Sequence, residues 1–193
     1  MTSRTGKPIV IADYDPVWRQ RFERERAEIL RGCGAAAFVR VEHMGSTAVP
    51  GLAAKPIIDI MPLLRSLDDA RALIESLASI GYEYVPEYEE PNAIDEGMPF
   101  RRYFRKDVNG ERAFHMHMVE AGSDFWRTHL LFRDFLRLSP EDAAEYARVK
   151  RKVAVEYNET VTSQSNINLG YTDKKSDCIN AIMAKARAHF GTE

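Results

Sequence analysis

Residues 42–60 read Glu42-His43-Met44-Gly45-Ser46-Thr47-Ala48-Val49-Pro50-Gly51-Leu52-Ala53-Ala54-Lys55-Pro56-Ile57-Ile58-Asp59-Ile60. A strand, a loop of small residues and an acid-bearing strand follow in turn. Upstream, Phe38-Val39-Arg40-Val41-Glu42-His43 alternates in the manner of a strand. Downstream, Pro56-Ile57-Ile58-Asp59-Ile60-Met61 is apolar except for one acid, the composition of a central strand covered on both faces. Asp59 is the anomaly in it. Gly45 lets backbone N–H groups approach an anion and Ser46 adds a hydroxyl donor, so the turn suits phosphate binding; an ordinary strand-ending turn is the bland alternative.

Working outward, Lys7 to Ala12 reads as a first strand, and Asp15-Pro16 opens a helix with Asp15 as N-cap and Trp18, Phe22 and Ile29 on its buried side. Gly32 and Gly34 close it. Ser66 with Asp69 resembles a capping box for a helix that Gly81 ends. Tyr82 to Glu87, Arg101 to Asp107 and Ala113 to Glu120 read as strands, the last two joined by the Asn109-Gly110 hairpin signal. The acidic loop from Tyr88 to Pro99 is either a lid or a plain solvated loop. Beyond Gly122 the pattern is helical: one helix carries Trp126, Leu130 and Phe132, a second starts at Ser139-Pro140, and a third follows the polar stretch Thr160 to Gly170, capped by Thr172. Mixed strands and helices followed by helices alone predict an α+β (mixed α/β) fold, a sheet backed by a helical C-terminal layer. The 193 residues suit one domain, 1–193, sheet-rich over 7–120 and helical over 123–190.

Composition narrows the partners. The 27 basic and 29 acidic residues nearly cancel to a net charge of -2, so no overall field favours nucleic acid. No apolar run approaches the roughly 18 residues that span a bilayer, and a cytoplasmic protein without a membrane partner is expected. Cys33 and Cys178 match no metal or redox spacing and read as apolar fillers.

His115 and His117 alternate along one strand and so share a face, opposite Phe114, Met116 and Met118. If they converge with Asp59, a carboxylate and two imidazoles would suit a transition metal better than magnesium. Glu42 and His43 fall on opposite faces, so at most one reaches the same cleft. His129 and His189 fall in helices and receive no role.

The 42–60 segment, together with His115-Met116-His117-Met118-Val119-Glu120, Trp126-Arg127, Leu131-Phe132-Arg133-Asp134-Phe135-Leu136-Arg137 and Tyr146-Ala147-Arg148-Val149-Lys150, resembles the GrpB family. The resemblance covers nearly the whole chain and implies a nucleotidyltransferase fold, in which a Gly-Ser turn holds nucleotide phosphates and strand carboxylates hold magnesium. In that superfamily a second acid lies two residues beyond the first. Here Met61 stands there, and a thioether cannot replace a carboxylate toward magnesium, so the usual two-metal mechanism is not written in this sequence.

The catalytic candidates are Asp59, which the resemblance nominates, and His115 and His117, which their shared strand face nominates, with Asp59 and His117 as ligands to a divalent metal (Mg, Mn or Zn). The resemblance places Gly45, Ser46, Lys55, Arg102 and Lys174 on a phosphorylated, nucleotide-like ligand. Arg101 and Arg105 are weaker candidates, and Arg133, Lys150 and Tyr171 with Lys174 would close the cleft from the C-terminal side. Three functions follow: a nucleotidyl or phosphoryl transferase; a binding module that has lost turnover, linked by family resemblance to dephospho-coenzyme A kinase; and, last, a metal-dependent hydrolase.

Overall fold

A computed structural model describes residues 8–89, 98, 100–160 and 174–191. Five strands, β1 (Arg40–Met44), β2 (Ile58–Leu64), β3 (Glu83–Tyr84), β4 (Arg101–Val108) and β5 (Glu111–Glu120), form one sheet in the order β1-β2-β5-β4-β3. β2 and β5 run parallel and the other neighbours antiparallel, so the sheet is mixed. The helices are α1 (Val17–Cys33), α2 (Ile74–Ser79), α3 (Asp124–Leu138), α4 (Pro140–Thr160) and α5 (Ser176–Phe190).

One sheet face carries Ile58, Ile60, Phe104, Met116 and Met118, packed with Trp18, Phe22 and Ile29 of α1 and Leu77 of α2. Each such fully buried apolar side chain contributes about 1.5–3 kcal/mol. On the other face α3 covers only one end, where Met44, Met61, Leu63 and Val119 meet Phe125, Trp126 and Leu130. That leaves the Asp59 end of β2 uncovered by the apolar cluster. A second core joins α3, α4 and α5 to Val49, Leu52 and Ala53, so the helical layer grips the chain just after the Gly45-Ser46 turn.

The Asn109-Gly110 turn joins β4 to β5 with φ of 54° and 79°, the left-handed pair that a two-residue hairpin needs. Asp15 Oδ1 accepts from the Val17 N–H at 2.9 Å, as a start signal should. Other expectations fail for identifiable reasons. The predicted strand at Lys7 to Ala12 is, over its described residues, only an isolated bridge between Ala12 and Ala54; Ile9 instead packs on Val153 and Ala154 of α4 and donates its N–H to Asn158. The strand expected over Tyr82 to Glu87 shrinks to β3 because Pro86 has no N–H and starts a 3-10 turn. Ser66 accepts from Asp68 rather than Asp69, and the helix begins as a 3-10 segment, Leu67–Leu73, before α2. Most of the acidic 88–99 loop, Thr160 to Gly170, Tyr171 and Thr172 lie outside the described residues or at their edge. Among the described residues no helix is long and apolar enough to cross a membrane.

Candidate functional site

Parallel pairing sets Asp59 of β2 beside His115 of β5, and His117 follows on the same face. His115 Nδ1 lies 3.3 Å and His117 Nε2 3.9 Å from Asp59 Oδ1. Among the described residues these three form the one cluster of metal-ligating side chains whose ligand atoms all lie within 4.8 Å of one another. Asp59 keeps 27% of its side chain exposed, so a strand that is otherwise core opens to water at its acid. Tyr103 of β4, paired with His117, closes the far side with its ring centroid 5.3 Å from that imidazole.

The Gly45 turn is fitted to this carboxylate. Gly45 has φ 71° and ψ -171°, a conformation restricted almost to glycine, and a Cβ there would sit 2.4 Å from Asp59 Oδ2. Beyond it, Ser46 Oγ accepts from Lys150 Nζ of α4 at 2.8 Å, and the same ammonium donates to Ala53 O at 2.5 Å. Lys150 is 3% exposed. Burial pushes it down to about 7, the charges of Lys175 and Arg151 push the same way, and Asp59 opposes them. Lys175, at the start of α5, is held down to about 8 by burial and then by Lys55, again against Asp59. Lys55 is lowered by burial, with Asp59 opposing. Burial thus depresses all three lysines, and the Asp59 carboxylate favours the charged form of each.

Arg101 adds a fourth cation. Its Nη1 donates to His117 Nδ1 at 2.9 Å. A guanidinium can only donate, so that imidazole accepts on Nδ1 and carries its proton on Nε2, the nitrogen facing Asp59. Burial, then Arg101 and His115, hold His117 well below the usual histidine value, so the ring is neutral. Neutrality suits a ligand; the proton on Nε2 does not, and a metal there requires Arg101 to release Nδ1. The donor set, one carboxylate and two imidazoles, otherwise fits Zn or Mn better than Mg.

Of the sequence candidates, Asp59, His115, His117, Gly45, Ser46 and Lys55 come together, and Lys150 joins them. Arg102 does not: it pairs with Met118 on the opposite face and bridges to Glu89 at 3.1 Å. Lys174 is exposed and bridges to Glu156 at 2.9 Å, while its neighbour Lys175 is partly buried and feels the Asp59 charge. Arg105 bonds Glu83 through Nε and Nη2 at 2.6 Å. Met61 is fully buried in the α3 contact, among Met44, Leu63 and Val119. Glu42 bonds Arg133, and His43 bonds Thr47 from the other face, as alternation requires. His129, given no role, stacks on Phe125 beside His117 and directs Nδ1 to Phe125 O at 2.7 Å.

A GrpB protein profile matches residues 8–185. The chain belongs to the GrpB family. The UPF0157 protein SCO7215 of Streptomyces coelicolor is 37% identical over 180 residues, 93% of this chain and 85% of that protein. The crystal structure of conserved protein GrpB from Enterococcus faecalis superposes with a TM-score of 0.77 at 29% identity, covering 94% of this chain and 99% of that one. A protein named dephospho-CoA kinase from Mycobacterium leprae is 32% identical over 166 residues, and the GrpB-like match spans 75% of this chain but only 40% of that protein. Outside the family, a structure of Cid1 in complex with its short product ApU gives a TM-score of 0.47 at 15% identity, over 72% of this chain and 41% of that one.

Proposed function

We propose that the protein holds the phosphates of a nucleotide-like molecule against Gly45, Ser46, Lys55, Lys150 and Lys175, beside one divalent metal at Asp59, His115 and His117, and transfers to an acceptor nucleophile either the nucleotidyl group, with pyrophosphate leaving, or the terminal phosphoryl group, with the nucleoside diphosphate leaving. The observation that carries this reading is the Lys150 ammonium 2.8 Å from Ser46 Oγ, on a loop whose glycine leaves no room for a side chain beside Asp59. Backbone N–H groups, a hydroxyl and several lysines are the donors that phosphate oxygens need. With Met61 in the core, a two-metal clamp is not available to this chain, and the lysines take over part of the charge neutralisation that a second metal would supply. Labelled nucleoside triphosphate with manganese or magnesium is expected to give a transfer product that Asp59→Asn abolishes; product formation that survives the substitution removes Asp59 from the chemistry.

A second reading, a binding module without turnover, is favoured by Met61 and by the Arg101 bond that occupies His117. It predicts ligand binding without product. A thermal-shift panel of nucleotides and coenzyme A intermediates, the latter chosen because a relative bears the name dephospho-CoA kinase, separates the two. Ligand at one hundred times its Kd stabilises by about 2.7 kcal/mol. A shift without product favours the module, and no shift with any of them removes both readings.

A further inference from the structure

We propose that the cleft behind the Gly45-Ser46 turn, between α1, β1 and α3, is a second anion site that takes a small phosphate-bearing molecule, separate from the Asp59 centre. The cleft has a volume of about 520 Å³, the size of a small-molecule pocket. Arg19 and Arg26 of α1, Arg40 of β1, and Arg133 and Arg137 of α3 line it, against two acids, Glu23 and Glu42. Asp134, which pairs with both α3 arginines, still leaves the local balance at two positive charges in a chain whose net charge is -2.

The five arginines divide into two groups. Arg133 and Arg137 are committed to the backbone: Arg133 Nη1 donates to His43 O at 2.8 Å, and Arg137 donates to Ala48 O through Nε at 3.1 Å and Nη2 at 2.8 Å. They brace both ends of the turn and hold the cleft floor rigid. Arg19, Arg26 and Arg40 stand at the mouth and are exposed. Arg26 reaches Glu23 only at 3.8 Å, and Arg40, 67% exposed, meets Glu42 at 2.9 Å. The Arg26–Glu23 pair is exposed on both sides and worth about 0–1 kcal/mol, so a phosphate displaces it at little cost, and Glu42 keeps Arg133 as a partner when Arg40 turns to a ligand.

The floor beneath the arginines is built from two buried rings. Phe22 and His43 stack with ring centroids 4.6 Å apart and an interplanar angle of 10°. His43 bonds Thr47 and is held down to about 4, chiefly by burial, so it is neutral and the arginines alone supply the positive charge. Thr47, Ala48 and Pro50 line this cleft while Ser46 meets Lys150, so one short turn separates two anion sites. Guanidinium forks match phosphate bidentately, which sets the ligand class.

Titration calorimetry of the full chain with inorganic pyrophosphate, in chelator, tests this. The parent is expected to bind at this cleft, and the double variant Arg19→Ala/Arg40→Ala to lose that equivalent or bind it at least about tenfold more weakly. Both side chains are exposed, so the variant is expected to fold, with circular dichroism as the check. Lys150→Met keeps this equivalent while losing any at Ser46, so failure of the transferase reading and failure of this one are told apart. Unchanged stoichiometry and affinity in the double variant, or no binding by the parent, overturns the site. Citrate bound as tightly as pyrophosphate, and lost in the same variant, overturns the phosphate assignment.

Discussion

Lys150 Nζ donates to Ser46 Oγ at 2.8 Å, joining α4 to a turn that precedes it by 104 residues. The contact buries an ammonium whose pKa falls to about 7, and this gives stability and binding opposite pH dependences. In the unfolded chain the lysine titrates near 10.5, so between about pH 7 and 10.5 the unfolded state holds a proton that the folded state lacks, and ligand-free stability rises with pH. Lys175, held down to about 8, acts with the same sign. A polyanion needs both lysines charged, so its affinity falls as pH rises through 7 and 8. Denaturant unfolding without ligand and calorimetry with it, both from pH 6 to 9, check the two slopes. Parallel slopes would contradict the assignment.

Lys150→Met removes the buried charge while keeping an apolar stem. The lost bonds to Ser46 and Ala53 and the relieved burial of charge work against each other, so stability is expected to change by less than about 1.5 kcal/mol. Triphosphate affinity is expected to drop at least about tenfold, the equivalent of one charge-assisted hydrogen bond. Chemical denaturation beside ligand titration measures both.

Gly45→Ala forces a side chain into φ 71°, ψ -171° and onto Asp59 Oδ2. Backbone strain alone costs about 1–3 kcal/mol. The carboxylate must also move, so metal binding is expected to be lost even where the variant remains folded, as a metal-content assay on the folded fraction would report.

Arg101→Gln is expected to strengthen zinc binding about tenfold or more, because the guanidinium repels a cation and holds the His117 proton on Nε2. Competition against a chromogenic chelator measures it. Equal or weaker affinity would show that Arg101 does not oppose the metal.

Arg102→Ala is expected to leave ligand affinity unchanged, since the side chain lies across the sheet from Asp59. It is expected to lower stability by about 1–3 kcal/mol, because Glu89, 8% exposed, loses its guanidinium partner and keeps the Tyr84 hydroxyl. Unfolding curves and calorimetry together check the split.

The sheet was legible where period and turn chemistry agreed: Asn109-Gly110 named the hairpin, and the alternation of His115 and His117 named the face. The Asp59 strand was legible because a lone acid in an apolar run stands out. The cations were harder. Arg101 and Arg102 are neighbours of one residue type, and which faces His117 depends on β4 register, not composition. Lys174 and Lys175 differ only in where α5 starts. Lys150 was legible only through the family resemblance, because a helical lysine ordinarily reads as solvated and its burial comes from α4 packing over Ala53, a contact of residues 97 apart. Ile9 looked like strand because an apolar residue near an end carries no sign of which element it will meet.

The most direct test is a crystal of the protein soaked with manganese and a non-hydrolysable nucleoside triphosphate, read by anomalous scattering. The account predicts a manganese peak coordinated by Asp59, His115 and His117, with Arg101 withdrawn from Nδ1 and phosphate oxygens on Ser46 and Lys150. Manganese absent from these three side chains, with the triphosphate bound away from the turn, would contradict it.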